Sequence, residues 1–549
     1  MELRMPESLE KLAESYFNYL AKSFPVMCAS DEFHFIPRVA AASRYYDSIE
    51  DMDASSIEAH VSALKEFQRK FQQLASEERD LERLIDLELL NSSIAGILIE
   101  FDENRSWAHN PLLYLKIAFI GLDHALTKPA ENQKELMERA LARLCAIPRL
   151  LRQALQNLDL VPAGYQQASL AMLNDCESYM HETERRLSNE DVAQLSAAFE
   201  RTRSALEVFR AYLLFHPTIP DREFAAPNLE MTLRGRFGSV RSIADIFQIA
   251  VEEWFESLRQ LEEIQRSMMS SKTWLELYHE FSPEEADITD TITLYMREMK
   301  RLKGFFKSIE FGGIIGRGNP IVCQTPVYLQ SVRGSASFSA AFTNDKREKD
   351  FFFITAQSQH IRGDESAELL RKRFHREYKF LTAHETFPGH YLLDSTRRDL
   401  GNPVRSQIES PLFYEGWAYY VESLLTEYGY ADSHMDRLVD LKRRLWRSAR
   451  CQIDVGLNTG RLLREDAQKL LRTAGFSDDE ALRQMDRFRL SPGYQLCYSL
   501  GRFEISELKK TYGRQIGHDK FHGFLLQGGQ LPFHLIEKRL SLAVSGSRP

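Results

Sequence analysis

The sequence predicts a mostly α-helical protein of many helices, with one small β-sheet beside a cleft. Two textures carry this expectation. Apolar residues recur at helical spacing through most of the chain: Leu9, Leu12, Tyr16 and Leu20 form one stripe, and the pattern returns over 135–160, 191–215, 242–270, 367–386 and 433–457. Between Phe311 and Gln359 it gives way to glycine loops and short aromatic or β-branched runs. At 549 residues the chain exceeds a typical single domain. Two lobes are expected, 1–215 and 216–549, divided at the turn His216-Pro217-Thr218-Ile219-Pro220-Asp221.

Composition narrows the class. With 43% hydrophobic and 27% charged residues the chain reads as globular, not disordered or collagen-like. A net charge of −9 gives no basic excess for nucleic acid, and runs such as Lys442-Arg443-Arg444 read as solvated helix faces. No stretch is apolar for long enough to span a membrane, and residues 1–7 carry no apolar signal core. The six cysteines are scattered and read as reduced thiols, so a cytoplasmic location is expected.

In the first 215 residues, Pro148 should kink or split the helix over 135–160. Trp107, His109, Asn110 and Tyr114 could line a cleft, though such residues more often serve as buried polar anchors. Ser282-Pro283-Glu284-Glu285 has the pattern of a helix start, opening a helix to about Phe306. Strands are expected at Val327–Leu329, Ser335–Phe342 and Phe351–Thr355, inside a β element at about 311–359 whose edge could pair with an extended peptide. Ser477-Asp478-Asp479-Glu480 is a capping box for a helix through Phe488.

The stretch His384-Glu385-Thr386-Phe387-Pro388-Gly389-His390 places two imidazoles and a carboxylate within seven residues. A hydrolytic zinc site wants neutral imidazoles as ligands and a nearby carboxylate as general base. On a regular helix, residues six apart would point about 120° apart and sit about 9 Å apart along the axis. Pro388 removes the N–H that would bond the carbonyl of His384, and Gly389 frees the backbone. The expected outcome is a helix that ends near Phe387 with His390 swung back. His181-Glu182 and His279-Glu280 lack a second histidine and read as helix surface, as does His375.

A further carboxylate, Glu415, follows His390 by 25 residues, beyond the loop at Gly401-Asn402-Pro403. Glu415, Tyr419 and Glu422 share a helix face, with Glu415 the candidate ligand and Glu422 suited to orient a ligand histidine or pair with an arginine. Gly416 removes bulk beside Glu415, as a close approach to a metal would require. Further on, Arg450 and Asp454 stand four apart; Arg450 could hold a substrate carboxylate or pair with Asp454. Tyr494, Tyr498 and Arg502 form another stripe. Either phenol could stabilise a developing oxyanion, and Arg502 is a second candidate for a substrate carboxylate. His522 and His534 read as structural.

In order and spacing, His384-Glu385-x-x-Pro388-Gly389-His390, Glu415-Gly416-Trp417-Ala418 and Pro492-Gly493-x-x-x-x-Tyr498-x-x-Gly501 resemble the largely bacterial family known as domain of unknown function 885. Its members look like helical, zincin-like metallopeptidases. The likeness runs from about Pro326 to Leu535. It implies one Zn²⁺ per chain held by His384, His390 and Glu415, with Glu385 as base, Tyr498 as the better oxyanion donor, and a peptide or related small amide as substrate. The sequence departs from the family pattern at Tyr391, where a further histidine often stands, at Leu393 in place of a glutamine, and at Asn458 in place of a histidine. A catalytically silent ligand-binding protein and a zinc hydrolase of non-peptide amides or esters are the other readings. Glu385 beside the ligands favours catalysis, because a structural zinc needs no base.

Overall fold

Helices with one apolar face must bury it, and here they bury it largely against each other. The computed structural model describes residues 8–187, 192–224, 228–285, 290–309, 311–313, 318–333, 336–343, 345–355 and 364–546. One apolar cluster runs from Leu9 to Leu540 and crosses the expected lobe boundary. Buried ion pairs also cross it: Arg38 with Asp394 at 2.9 Å, Arg405 with Asp86 at 2.7 Å, and Lys128 with Glu348 at 2.5 Å. Among the described residues, no helix is long and apolar enough to cross a membrane.

A second, smaller cluster gathers Leu294, Tyr295, Phe352, Ile354, Phe374 and Tyr378. It fastens a three-stranded sheet to the helix Asp364–Glu385 that carries His384. In the sheet, Phe351–Ile354 is central, parallel to Ile321–Gln324 and antiparallel to Ala336–Ser339. Side chains alternate across a strand, so Phe352 and Ile354 enter the cluster while Phe351 and Phe353 stack on the other face, 5.4 Å apart.

Several expectations are corrected by local chemistry. Gln133–Asn157 is one helix with Pro148 inside it. The Leu144 carbonyl that proline leaves without an N–H accepts the Thr202 hydroxyl at 3.0 Å, so the helix continues. Thr218–Ile219 is not a bare turn but a short parallel strand beside Val161–Pro162. The helix assigned to Ser282 begins at Thr291, capped by Asp290, whose side chain accepts from Thr293 N–H at 3.0 Å; Glu285 instead binds Arg301 and Tyr378. Val327–Leu329 is a 3₁₀ turn, and the missing strand is Ile321–Gln324. Ser335, the expected start of the next strand, lies outside the described residues. His375 is buried, not on the surface. The Ser477 capping box forms as read and opens Asp478–Arg489.

Candidate metal centre

The helix Asp364–Glu385 stops one residue after His384, and a new helix, His390–Arg398, starts on the second histidine. Between them the chain doubles back, and the Gly389 N–H reaches over to the Ala383 carbonyl at 3.0 Å. Only glycine fits there: a Cβ would lie 1.9 Å from the His384 carbonyl oxygen. The Trp417 indole N–H donates to the Pro388 carbonyl at 2.9 Å and pins the turn to the helix of Glu415, Pro411–Glu427. The two rings thereby come to 4.7 Å between centroids, nearly perpendicular. Six residues of separation become a pair of neighbours because the helix is broken between them.

One ligand atom from each of His384, His390 and Glu415 lies within 4.8 Å of the others, and all three residues are buried. Glu415 Oε2 is 3.4 Å from His384 Nε2 and 3.7 Å from His390 Nε2. Ligands about 2.0–2.1 Å from a tetrahedral zinc would stand roughly 3.3 Å apart, so this cluster needs little adjustment to hold one. Glu415 Oε2 is buried without a hydrogen-bond donor among the described residues, a costly state for a carboxylate unless a cation answers it. Its other oxygen accepts the Tyr494 hydroxyl at 2.5 Å. Burial alone would raise Glu415, but the imidazoles of His384 and His390 that face it hold it well below the usual carboxylate range. Burial would likewise lower His384, yet Glu415 and Glu422 bring it up to about 9. The environment is built to receive positive charge.

Glu422 sits one shell out. Its carboxylate accepts from His384 Nδ1 at 2.8 Å, which directs Nε2 at the cluster. It is held in turn by Arg443 at 2.8 and 3.0 Å and by Arg447 at 2.5 Å. Burial opposes its ionisation, but the two guanidiniums keep it far below the usual range. Arg443 continues to Glu377, which Arg373 and Lys442 also face. Lys442-Arg443-Arg444 is therefore not a solvated face: Lys442 and Arg443 are buried. The sequence held a signal for this, since Arg443, Arg447, Arg450 and Asp454 lie along one helical stripe and a buried Glu422 demands cations. On the other side, His390 stacks on Tyr414, rings 3.8 Å apart, and Tyr414 donates to Asp394 at 3.2 Å.

Glu385 is buried beside His384 and makes no hydrogen bond or ion pair among the described residues, while its charge acts on His384. Tyr498 lies parallel to the His384 ring at 6.3 Å; burial and the nearby Glu415 charge raise its pKa. Asp454 positions both tyrosines: its carboxylate accepts from the N–H groups of Gly493, Gln495 and Leu496 at 2.8–3.1 Å. Burial pushes Asp454 up to about 6 against those bonds. It is not paired with Arg450, whose guanidinium binds Gln495 and stacks over Tyr498 at 4.2 Å.

Three expected roles change. Arg502 is occupied: it pairs with Glu253 at 2.8 Å, bonds Ser423 at 3.1 Å and stacks on Tyr419. It braces helices and is not available to a substrate. Tyr419 is fully buried, donates to Glu253 at 2.9 Å and supports Arg447 on its ring, so it reaches the metal cluster only through Arg447 and Glu422. Gly416 serves a helix crossing: a Cβ there would meet Gly501 Cα at 2.5 Å. That close contact sets Leu496–Ile516 against the Glu415 helix and brings Tyr498 over the site. His34 had no signal in the sequence; it comes from the N-terminal half, exposed, with its ring 5.1 Å from that of Tyr494.

The family model described as "Bacterial protein of unknown function (DUF885)" matches residues 37–540. No curated protein matches the chain. Among solved structures, a "putative lipoprotein of unknown function" from Shewanella oneidensis is similar with a TM-score of 0.74 and 18% identity, covering 97% of this chain and 100% of its own. A "putative lipoprotein" from Colwellia psychrerythraea is similar with a TM-score of 0.74 and 17% identity, covering 98% and 100%. These likenesses establish a shared fold, and the chain belongs to the DUF885 family.

Proposed function

We propose that this DUF885 chain is a zinc-dependent hydrolase on a zincin-like helical scaffold, cleaving peptide bonds of small peptides. One Zn²⁺ per chain would be held by His384, His390 and Glu415. The observation that carries the reading is the convergence of those three ligand atoms, with a Glu415 oxygen that has no hydrogen-bond donor, beside Glu385, a carboxylate without a partner, both among the described residues. When bound, zinc polarises a carbonyl and lowers the pKa of a water to about 7.

The chain's own residues supply the rest. Glu422 fixes the His384 tautomer by taking the Nδ1 proton in a hydrogen bond. Glu385 takes the proton of the attacking water and delivers it to the leaving amine. Tyr498 donates its O–H to the carbonyl oxygen as negative charge builds there, a bond stronger in the transition state than in the ground state. Tyr494 holds Glu415 in place. A cytoplasmic setting belongs to the same proposal; the word lipoprotein on both solved relatives points the other way, and cell fractionation decides between them.

The test is hydrolysis of a panel of short peptides, amides and esters, with chelator and with zinc restored. Activity should vanish with chelator and return with zinc. Glu385→Gln should keep its zinc and lose about 10²–10⁴ in rate, because an amide cannot take the proton. Near wild-type turnover in that variant would remove Glu385 as base. Turnover of esters and not of peptides would narrow the reading to a non-peptide hydrolase. No turnover of any substrate would leave a ligand-binding protein on a hydrolase scaffold.

A further inference from the structure

Around the candidate metal cluster most charged groups are matched; besides Glu385, the exceptions include two arginines. Glu32 is taken by Lys116 and Arg333, both at 2.9 Å. Asp454 is taken by three backbone N–H groups, Glu253 by Arg502, and Asp486 by Arg464. Glu422 is shared by Arg443 and Arg447. Two guanidiniums beside Tyr498 have no carboxylate among the described residues. Arg450 is half-buried, held by Gln495 and packed over the rings of Tyr498, Trp446 and Phe488 at 4.2, 5.6 and 5.9 Å. Arg487, on the helix that carries Phe488, is exposed and makes no hydrogen bond or ion pair among the described residues. Desolvation first, and then the charge of Arg450, lower its pKa, while Tyr498, Tyr494 and Glu32 act in the opposite sense. Arg450 thus packs on Phe488, the neighbour of Arg487 in the chain, and neither guanidinium has a built-in counter-charge among the described residues, a state that suits an incoming anion.

We propose that Arg450 and Arg487 form an anion subsite that holds the free C-terminal carboxylate of a short peptide. This rests on the hydrolytic reading above and narrows its substrate class. Arg450 packs 4.2 Å over the ring of Tyr498, which itself lies parallel to the His384 ring at 6.3 Å. A peptide advances about 3.3–3.6 Å per residue when extended, so a carboxylate held over that ring belongs one or two residues beyond the bond at the metal. The enzyme is then an exopeptidase working from the C-terminus. Guanidinium suits the task, because its planar fork matches a carboxylate in two parallel hydrogen bonds.

Binding is measured first in zinc-loaded Glu385→Gln, so that the result does not depend on turnover. The probes are N-acetyl-tetraalanine, its C-terminal amide, and the amide of N-acetyl-Ala-Ala-Glu-Ala, titrated by calorimetry. The free acid should bind about tenfold tighter than its amide, the scale of one charge-assisted hydrogen bond. Arg487→Gln and Arg450→Gln should each collapse that ratio toward one, and Arg450→Lys should keep part of it. A merely structural arginine would leave the ratio unchanged. Equal affinity for acid and amide, absence of binding by both, or a ratio that survives both substitutions overturns the subsite. If the glutamyl amide matches the free acid, the anion is a side chain and the C-terminal assignment is wrong. Wild-type digestion of the free acid should cut the last or second-last peptide bond. A strong acid preference without cleavage keeps the subsite and rejects the hydrolase; cleavage of acid and amide alike does the reverse.

Discussion

Arg447 and Arg450 lie one helical turn apart on His434–Thr459, and they face opposite fates. Arg447 is buried against Glu422, in a ladder of charges that runs from Glu377 through Arg443 and Glu422 to His384. Arg450 has a tyrosine face and a glutamine, and no carboxylate among the described residues. The first environment is complete and fixes a ligand. The second is incomplete and suits a visitor. Within a protein interior, the distinction between a positioning charge and a receiving one is whether its counter-charge is already built in.

The receiving side is probed by Tyr498→Phe. Loss of one oxyanion donor typically costs about 10²–10³ in kcat. KM should change little, because the bond strengthens mainly in the transition state. An unchanged kcat in steady-state kinetics would move the role to Tyr494, which the structure spends on Glu415.

On the positioning side, Glu422→Gln keeps the shape and leaves Arg443 and Arg447 without their shared charge. Zinc affinity should fall by about 10–100-fold, the usual cost of losing a ligand's outer partner. Breaking so buried a cluster should also cost about 3–5 kcal/mol of stability. Metal titration and urea unfolding read the two effects, and a variant indistinguishable from wild type in both would mean that the ladder orients nothing.

A smaller effect comes with pH. Metal-free His384 titrates at about 9, so at neutral pH it carries a proton that zinc must displace. Raising the pH removes that competitor. Apparent zinc affinity should therefore rise by about tenfold per unit through neutral pH and level off near the His384 value. A flat profile between pH 6 and 8 would show that His384 binds without losing a proton.

Much of this was legible before the structure. The helical class, the Ser477 cap and the break after His384 follow from spacing, a cap hydroxyl and a proline-glycine pair, all local signals. What the sequence concealed was tertiary. Nothing near Pro148 announces Thr202, whose hydroxyl donates to the helix's stranded carbonyl. Gly416 looked like room for a metal, and only the opposing Gly501 shows that it is room for a helix. Arg502 and Arg450 look alike in sequence; Glu253, some 250 residues before Arg502, takes the first as an ion pair, while the second has no carboxylate among the described residues. His34 reaches Tyr494 from the opposite half of the chain, where no motif surrounds it.

Zinc content tests the central claim most directly, by elemental analysis of dialysed wild type, His384→Ala, His390→Ala and Glu415→Ala. One zinc per chain is expected in wild type, with a clear loss in each variant. Full occupancy in His390→Ala would contradict the account, because the broken helix between His384 and His390 would then have no metal to serve.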